Sequence, residues 1–129
     1  MARQPSVSSL VVFVMGPPGS GKGTQVTALK KEFGFEGIDT GSVLRALSKE
    51  DSPLGRRLKV FLEAGRLAPT PLVAELITRE VLRLLQAEAS VALEGSPRTL
   101  HEAEVLLGAL QDRGTGNLLV LFLDVPKRQ

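Results

Sequence analysis

The sequence predicts an α/β fold, an open parallel β-sheet with helices on both of its faces. Short runs of strand length, most of them apolar, alternate with longer stretches in which apolar residues recur at helical spacing. The first of these runs is followed at once by a glycine-rich loop and then by an amphipathic stretch. Ligands of such sheets bind beyond the carboxyl ends of the strands, so we expect the functional residues there.

The first strand–helix unit lies near the N-terminus. Residues 10–15 form a continuous apolar run, which is typical of a fully buried parallel strand. After the glycine-rich loop, Val26, Leu29 and Phe33 lie on one face of a predicted helix. Together these segments predict the first βα unit.

A short second strand and two helices should follow. Residues 35–38 can form the strand, and residues 40–49 and 53–64 are predicted to form the helices. Ser52 is a suitable N-cap for the second helix, which has a proline in its first turn. Gly65 ends this helical pair.

The C-terminal half continues the alternation of helices and strands. A helix opens at Thr70 and carries an apolar stripe wide enough to face the core. The stripe consists of Leu72, Val73, Leu76, Ile77, Val81, Leu84 and Leu85. Residues 91–93 form the next predicted strand, and a Thr99-x-x-Glu102 capping box opens a helix that runs to about residue 113. Residues 118–125 form the last predicted strand.

Composition and charge indicate a compact intracellular domain. The chain has 129 residues, of which 43% are hydrophobic and 23% charged, so we expect a single domain over residues 1–129. Its 16 lysine and arginine residues are scattered and nearly balanced by 14 acidic ones, so we expect neither nucleic acid nor a membrane as a partner. Cysteine is absent, which excludes disulfides and fits a reducing compartment. No apolar run approaches the ~20 residues of a membrane span, and we expect a cytoplasmic protein.

The glycine-rich loop constrains the function most. Residues 16–25 read G-P-P-G-S-G-K-G-T-Q, and glycine leaves the chain free of Cβ atoms where it must wrap closely round an anion. The loop amides and the positive end of the following helix dipole can then bind a polyphosphate, and Lys22 adds a charge for the outer phosphates. The pattern G-x-x-x-x-G-K-[ST] fails at its last place, because Gly23 follows the lysine and the hydroxyl arrives at Thr24. These features predict nucleotide binding.

Four motifs, in order along the chain, resemble those of a known family. G-P-P-G-S-G-K-G-T over residues 16–24 is the loop variant of nucleoside monophosphate kinases, and D-T-G-S-V-L-R over 39–45 looks like their S-T-G-D-hydrophobic-L-R. A-G-R-L-A-P over 64–69 looks like A-G-x-L-V-P, and L-E-G-S-P-R-T over 93–99 looks like the motif that contains D-G-F-P-R-T. The chain therefore resembles the adenylate kinases in particular.

The resemblance implies a P-loop NTPase-type sheet with the strand order 2-3-1-4-5, of which the fifth strand is absent from this chain. The helices at about residues 40–69 would form an inserted, mobile subdomain that closes over the monophosphate. The reaction implied is reversible phosphoryl transfer from ATP to AMP, which gives two ADP and uses Mg²⁺ as a cofactor. ATP and AMP are therefore the expected partners.

The same resemblance assigns roles to individual residues. The expected catalytic residues are Lys22, Arg45 and Arg98, of which the two arginines would clamp the acceptor phosphate. The expected ATP-binding residues are Gly16, Gly19, Ser20, Gly21, Lys22, Gly23 and Thr24. The expected AMP-binding residues are Thr40, Arg45, Leu67, Ala68, Gly95, Arg98 and Glu102. Magnesium would be held by Thr24 and, through water, by Glu94.

Three positions depart from the family pattern. Glu94 stands where the family has the aspartate that holds magnesium through water, and its extra methylene moves the charge on the order of an ångström. Ser96 replaces an aromatic residue beside the acceptor pocket. Glu102 replaces a glutamine that reads the acceptor base, and an ionised carboxylate could serve adenine's exocyclic amine but not its ring acceptor. Glu102 could equally be a helix cap, and both interpretations stay open.

The resemblance covers almost all of this chain, yet the chain corresponds only to the N-terminal part of a complete kinase. A family member would continue into an arginine-bearing lid, a fifth strand and a closing helix. Two alternatives therefore stand beside an adenylate kinase: a catalytically impaired nucleotide-binding fragment, or a kinase for another monophosphate such as UMP or CMP. Thr40 argues weakly against pyrimidines, because pyrimidine-specific relatives tend to have alanine there. The family is monomeric, but residues 118–123 would form an unpaired edge strand, so we expect self-association.

Overall fold

The computed structural model describes residues 9–112 and 117–124 and shows, within these ranges, a four-stranded parallel sheet with five helices. The elements in chain order are β1 (Val11–Met15), α1 (Lys22–Phe33), β2 (Glu36–Asp39), α2 (Thr40–Ser48), α3 (Pro53–Glu63), α4 (Thr70–Gln86), β3 (Val91–Glu94), α5 (Leu100–Asp112) and β4 (Leu118–Phe122). The strand order is β2-β3-β1-β4. This confirms the predicted open parallel sheet and the family order for the strands that are present.

The strands are aligned so that their carboxyl ends meet. Val14 of β1 pairs with Glu94 of β3 and with Leu121 of β4, and Glu94 pairs in turn with Asp39 of β2. Because paired residues of parallel strands point to the same face of the sheet, both carboxylates share the face of Val14. The ends of β2 and β3 and the loop that follows β1 therefore come together at one edge of the sheet.

One face of the sheet carries the main hydrophobic core, which α4 and α5 cover. Its buried side chains come from alternate strand positions and from the apolar stripes of these two helices. They are Val11, Phe13, Ile38, Ile77, Val81, Val91, Leu93, Leu106 and Leu110. The stripe predicted within residues 72–85 is confirmed, since each of its members is buried or half-buried.

Helix α1 covers the opposite face of the sheet. It lies on β1, β2 and β3, and Gly37 allows a close approach, because a Cβ there would lie 3.1 Å from Val26 Cγ1. Val26 and Leu29 are half-buried, as their predicted common face requires. Phe33, the last residue of the helix, continues that face but is 70% exposed.

A second, smaller core lies among α2, α3 and the start of α4. Its buried side chains are Leu58, Leu72 and Leu76. Asp39 caps α2 by accepting the Ser42 N–H at 3.3 Å, and Ser52 caps α3 by accepting the Gly55 N–H at 3.0 Å. The predicted helical pair and its Ser52 cap are confirmed.

Strand β2 begins one residue later than the sequence pattern predicts. Gly34 ends α1 in the left-handed conformation, and the Phe35 N–H then bonds to the Leu29 carbonyl of the helix. The Phe35 N–H is therefore used at the helix end, which the left-handed Gly34 closes. The first strand contact falls on Glu36, whose N–H bonds to the Ser90 carbonyl at 2.8 Å.

Strand β4 exposes much of its apolar surface. It pairs with β1 on one side and with no other strand among the residues described. Leu119, Val120 and Phe122 are each more than half exposed, although they are apolar. The predicted ends of α5 at residue 113 and of β4 at residue 125 lie outside the described residues, but β4 ends at Phe122, and the predicted strand at residues 123–124 is not formed. Within the described ranges, no helix is long and apolar enough to cross a membrane.

Candidate functional site

The loop between β1 and α1 takes its shape from its glycines. Gly16, Gly19 and Gly21 have φ angles of 152°, 79° and 97°, which residues with side chains rarely adopt. Space is limiting at Gly16 as well, because a Cβ there would lie 2.8 Å from the Leu123 carbonyl oxygen. The loop therefore passes close to the residue after β4, and glycine is required for this passage.

Helix α1 begins at Lys22, directly after the loop. None of the described side chains caps its N-terminus, and its first turn holds no acidic residue. The free N–H groups of that turn and the positive end of the helix dipole therefore favour an anion at the loop. Lys22 folds back over the loop, where its Nζ donates a hydrogen bond of 2.8 Å to the Gly16 carbonyl. This arrangement of amides and ammonium is suited to binding a polyphosphate.

Two carboxylates lie beside the first turn of α1. They belong to Glu94 and Asp39, which are register partners at the ends of β3 and β2. Glu94 Oε1 lies 3.0 Å from the position that a Cβ on Gly23 would occupy, so this carboxylate contacts the helix turn. The loop and these carboxylates line an open cavity of about 420 Å³. Its lining side chains include Lys22, Thr24, Asp39, Glu94 and Arg98.

Arg98 lies on the segment of residues 95–99 that follows β3. Gly95 has a φ of 80°, and Thr40 Oγ1 donates a hydrogen bond of 3.3 Å to its carbonyl. Arg98 Nη2 lies 3.2 Å from the Cβ position at Gly95, so the guanidinium folds back over the end of β3. A second cavity, of about 300 Å³, is lined by both Lys22 and Arg98. The structure thus brings these two predicted phosphate-binding groups into one cleft.

Arg45 lies against the first turn of its own helix, α2. Its Nη1 is 3.0 Å from the position of a Cβ on Gly41, and its Nη2 donates a hydrogen bond of 3.2 Å to Ser42 Oγ. Gly41 follows Thr40, which contacts the segment that carries Arg98. Both predicted acceptor arginines therefore fold toward the same edge of the sheet, although Arg45 lines neither of the two cavities.

Glu102 is buried, with only 5% of its surface exposed. Its Oε2 accepts a hydrogen bond of 3.3 Å from Thr99 Oγ1, which in turn accepts the Glu102 N–H at 3.1 Å. Its Oε1 accepts a hydrogen bond of 3.4 Å from Ser96 Oγ. The predicted cap at the start of α5 is therefore present. Glu102 lines neither cavity, and its contact with an acceptor base stays a prediction.

Two further predicted site residues lie outside these cavities, and a third has a hydroxyl group without a hydrogen-bond partner in the described part of the chain. Leu67 is 93% exposed, and Ala68 packs against the smaller core. Neither residue lines the cavities that contain Lys22 and Arg98. Ser20 Oγ is buried and has no hydrogen-bond partner among the described residues, which places an unused hydroxyl inside the phosphate-binding loop.

Asp39 is a cavity residue that sequence reasoning did not assign. The sequence does place it at the site, because it directly follows the second predicted strand, at the edge where functional residues are expected. The family resemblance gives it no role, because the family motif has serine at this position and aspartate three residues later. Its side chain belongs to the site only because β2 lies next to β3, which pairs Asp39 with Glu94.

The oxygen atoms in the larger cavity suit magnesium. Carboxylates and hydroxyls are ligands that Mg²⁺ prefers, and Glu94 and Thr24 supply them beside the loop. Within residues 9–112 and 117–124, no group of three or more histidine or acidic side chains could hold a metal ion by itself. The residues therefore fit a magnesium ion that takes its other ligands from water and phosphate, as Mg²⁺ usually does.

The strand, loop and helix around Lys22, together with the strand order, define a P-loop NTPase fold. Comparison with known proteins gives the family. The adenylate kinase family model matches residues 14–129, and the chain therefore belongs to the adenylate kinase family. This agrees with the resemblance that the four sequence motifs carry.

Several curated relatives are adenylate kinases of bacteria. The chain is 40% identical over 123 residues to that of Thermus thermophilus, a match that covers 95% of the chain and 62% of the relative. It is 37% identical to that of Phocaeicola vulgatus, with 93% and 63% covered, and 36% identical to that of Carboxydothermus hydrogenoformans, with 92% and 55% covered. The chain thus spans less than two thirds of the length of these relatives.

Proposed function

We propose that this chain is the substrate-binding core of an adenylate kinase, which transfers the terminal phosphoryl group of ATP to AMP and forms two ADP. The observation that carries the proposal is the cleft at the end of the glycine loop, where Lys22, Glu94 and Arg98 line one cavity. Membership of the adenylate kinase family supports ATP and AMP as the substrate pair.

The donor nucleotide would bind along the loop. The amides of residues 19–24 and the N-terminus of α1 would hold the polyphosphate, and Lys22 would neutralise the β and γ phosphates. The hydrogen bond that Lys22 makes with the Gly16 carbonyl supports this role, because it holds the ammonium above the loop. The unpartnered hydroxyl of Ser20 would gain a phosphate oxygen as its acceptor.

The acceptor would bind on the opposite side of the cleft. Arg98 and Arg45 would clamp the phosphate of AMP, since guanidinium groups match the geometry of phosphate oxygens. Thr40 and the backbone near residues 67–68 would face the base. The bond between Thr40 and the Gly95 carbonyl supports a shared acceptor site, because it ties the segment after β2 to the segment that carries Arg98.

Magnesium would be held by Thr24 directly and by Glu94 through water. The ion would supply positive charge that neutralises the phosphate oxygens of the donor. Glu94 is suited to this role because its carboxylate lies against Gly23 in the first turn of α1, and Thr24 is the next residue. Its side chain is one methylene longer than the aspartate of the family pattern, which moves the charge on the order of an ångström.

The chain's own residues would act by alignment and charge. Phosphoryl transfer needs the donor and acceptor phosphates in line and needs the equatorial oxygens neutralised, and it needs no covalent intermediate. Lys22 and Arg98 line the same two cavities, which supports the proposal that they act on the two phosphates from one cleft. The helical subdomain at about residues 40–69 would close over the acceptor and exclude water.

Replacement of Lys22 by methionine tests this assignment. ATP affinity should fall about tenfold to a hundredfold, the range expected when a hydrogen bond to a charged group is lost, whereas AMP affinity should stay within about twofold. Isothermal titration with each nucleotide measures both effects. Lys31→Met is the matched control, because Lys31 lies exposed in the last turn of the same helix and should affect neither nucleotide.

A coupled assay for ADP, run with ATP and a panel of monophosphates, tests the reaction itself. ADP formation with AMP that falls in Lys22→Met supports the proposed kinase. Binding of both nucleotides without turnover would instead favour the nucleotide-binding module, and preference for UMP or CMP would favour the pyrimidine alternative. Equal losses of ATP and AMP affinity in Lys22→Met would contradict the two separate subsites.

A further inference from the structure

Asp39 is an acidic residue at the phosphate cleft for which the proposed function gives no role. It ends β2, pairs in register with Glu94 and lines the larger cavity together with Lys22 and Arg98. The related motif reads S-T-G-D, whereas this chain reads D-T-G-S, so the serine and the aspartate have exchanged positions 39 and 42. The exchange moves a carboxylate from the first turn of α2 to the end of the strand.

The carboxylate of Asp39 is linked to Arg45 through one hydroxyl group. Ser42 Oγ donates a hydrogen bond of 2.7 Å to Asp39 Oδ2, and it accepts one of 3.2 Å from Arg45 Nη2. A hydroxyl can donate one hydrogen bond, and the Ser42 hydroxyl donates it to the carboxylate. The lone pairs of the Ser42 oxygen are then left to accept from the guanidinium, so both hydrogen bonds of the link run in one direction, from Arg45 to Asp39.

This link also fixes where the guanidinium lies. Arg45 Nη1 is 3.0 Å from the Cβ position at Gly41, so the side chain folds back over the first turn of α2 instead of extending from the helix. Gly41 adjoins Thr40, whose hydroxyl bonds to the Gly95 carbonyl on the segment of Arg98. The hydroxyl link therefore holds Arg45 toward the edge of the sheet where Arg98 lies.

We propose that Asp39 is a positioning residue that, through Ser42, holds Arg45 in place for the phosphate of the acceptor monophosphate. The inference rests on the proposed function, because it assumes that Arg45 binds the acceptor. Asp39 does not contact the substrate in this account. Its carboxylate strengthens the first hydrogen bond of the link, since bonds to an ionised acceptor are stronger than those between neutral groups.

The link is separable from the second contact of Asp39, which is the cap of α2. Asp39 Oδ2 also accepts the Ser42 N–H at 3.3 Å and so caps the helix. Serine is about as good an N-cap as aspartate, so Asp39→Ser keeps the cap and removes the carboxylate. A loss of acceptor affinity in this variant without a loss of stability would therefore report the link rather than the helix.

The experiment measures AMP and ATP affinity of the 129-residue chain by isothermal titration, with thermal unfolding as a parallel readout. Asp39→Ser should weaken AMP binding about threefold to tenfold, the range for one hydrogen bond, and leave ATP binding and the unfolding midpoint nearly unchanged. Asp51→Ser is the matched control, because Asp51 is an exposed acid whose salt bridge with Arg56 lies outside both cavities.

Two further variants separate positioning from simple charge effects. The double variant Asp39→Ser/Ser42→Asp should restore AMP affinity, because an aspartate at position 42 faces Arg45 directly at i,i+3 spacing. In an Arg45→Ala background, Asp39→Ser should have no further effect on AMP binding, since the group that it positions is gone.

The outcomes distinguish this inference from the proposed function. If the unaltered chain does not bind AMP, both are overturned. If it binds AMP but Asp39→Ser binds it equally well or more tightly, Asp39 does not position Arg45, and tighter binding would show that its carboxylate repels the phosphate. A loss that persists unchanged in the Arg45→Ala background, or that the double variant does not restore, also overturns the inference and leaves the proposed function intact.

Discussion

The two sides of the cleft are built in different ways. The proposed donor side is a continuous loop whose shape comes from backbone conformation, with positive φ angles at Gly16, Gly19 and Gly21. The proposed acceptor side consists of side chains from separate segments. The Thr40 hydroxyl joins two of these segments, and other hydroxyl groups support Arg45 and Glu102 within their own segments. A backbone site is specified locally and is expected to respond sharply to changes in its glycines. A side-chain site is distributed, so each single change should have a smaller effect.

We attribute the difference to the ligand that each side is proposed to bind. A polyphosphate offers many acceptor oxygens along its length, and a run of amides at a helix N-terminus can satisfy them without side chains. A monophosphate offers one compact anion, for which a pair of guanidinium groups is a suitable partner. Those groups need supports of their own, and Ser42 provides one for Arg45 in this structure.

The largest effect is expected from Gly16→Ala on the donor side. The new Cβ would lie 2.8 Å from the Leu123 carbonyl oxygen, and alanine rarely adopts a φ of 152°. We expect a loss of stability of about 1–3 kcal/mol from backbone strain and a loss of ATP affinity of roughly a hundredfold as the loop is displaced. Thermal unfolding and isothermal titration with ATP measure the two losses.

Gly108→Ala is the control for this variant. Gly108 lies inside α5, and a Cβ there would meet no atom within 4 Å. Alanine in a helix interior should raise stability by about 0.5–1 kcal/mol and leave ATP affinity unchanged. If Gly16→Ala behaved like Gly108→Ala, the shape of the donor loop would not depend on its first glycine, and the contrast between the two sides would be lost.

The same contrast explains how much of the molecule could be predicted from the sequence. The loop and the order of strands were predictable, because a contiguous glycine pattern and short apolar runs specify them locally. The link from Asp39 through Ser42 to Arg45 was not, since it depends on side-chain rotamers and on β2 lying beside β3. Periodicity placed Phe33 with Val26 and Leu29, but it could not show that the last residue of α1 is largely exposed.

Glu94→Gln is expected to have the next largest effect, on magnesium rather than on the nucleotide. The amide keeps the size of the carboxylate but lacks its charge, so the affinity of the ATP site for Mg²⁺ should fall roughly tenfold, as is usual when an outer ligand is changed. ATP affinity in the presence of a chelator should stay nearly the same. Titrations of ATP with and without Mg²⁺ measure this difference.

Glu104→Gln provides the comparison for charge alone, because Glu104 is an exposed acid on α5 that lines neither cavity. It should leave the magnesium dependence unchanged. An unchanged magnesium titration in Glu94→Gln as well would mean that the carboxylate at the end of β3 has a structural role, and that Mg²⁺ takes its ligands elsewhere.

A smaller effect is expected on the acceptor side from Glu102→Ala. This change leaves the Ser96 and Thr99 hydroxyls without their acceptor, so the segment that carries Arg98 should loosen and AMP affinity should fall about fivefold, close to the value of one hydrogen bond. Glu102→Gln should stay within about twofold of the unaltered chain, because its amide can still pair with both hydroxyls. Titrations with AMP and GMP measure these affinities. If Glu102→Gln instead changed the preference between the two bases, Glu102 would read the base directly.

The smallest effect on nucleotide affinity is expected from Val120→Lys on β4. Val120 is 53% exposed on a strand whose outer edge is unpaired in the described part of the chain, and such edges favour pairing between chains. We therefore expect the 129-residue chain to self-associate and the lysine to reduce this, since a charge on an edge strand opposes pairing. The donor loop meets this region through the Leu123 backbone rather than through Val120, so ATP affinity should change by less than about twofold. Size-exclusion chromatography with light scattering gives the mass, with Glu104→Gln as a surface control.

A monomeric unaltered chain would show that the exposed edge does not pair. A large loss of ATP affinity in Val120→Lys would show that the donor loop depends on β4 side chains as well as on its own glycines.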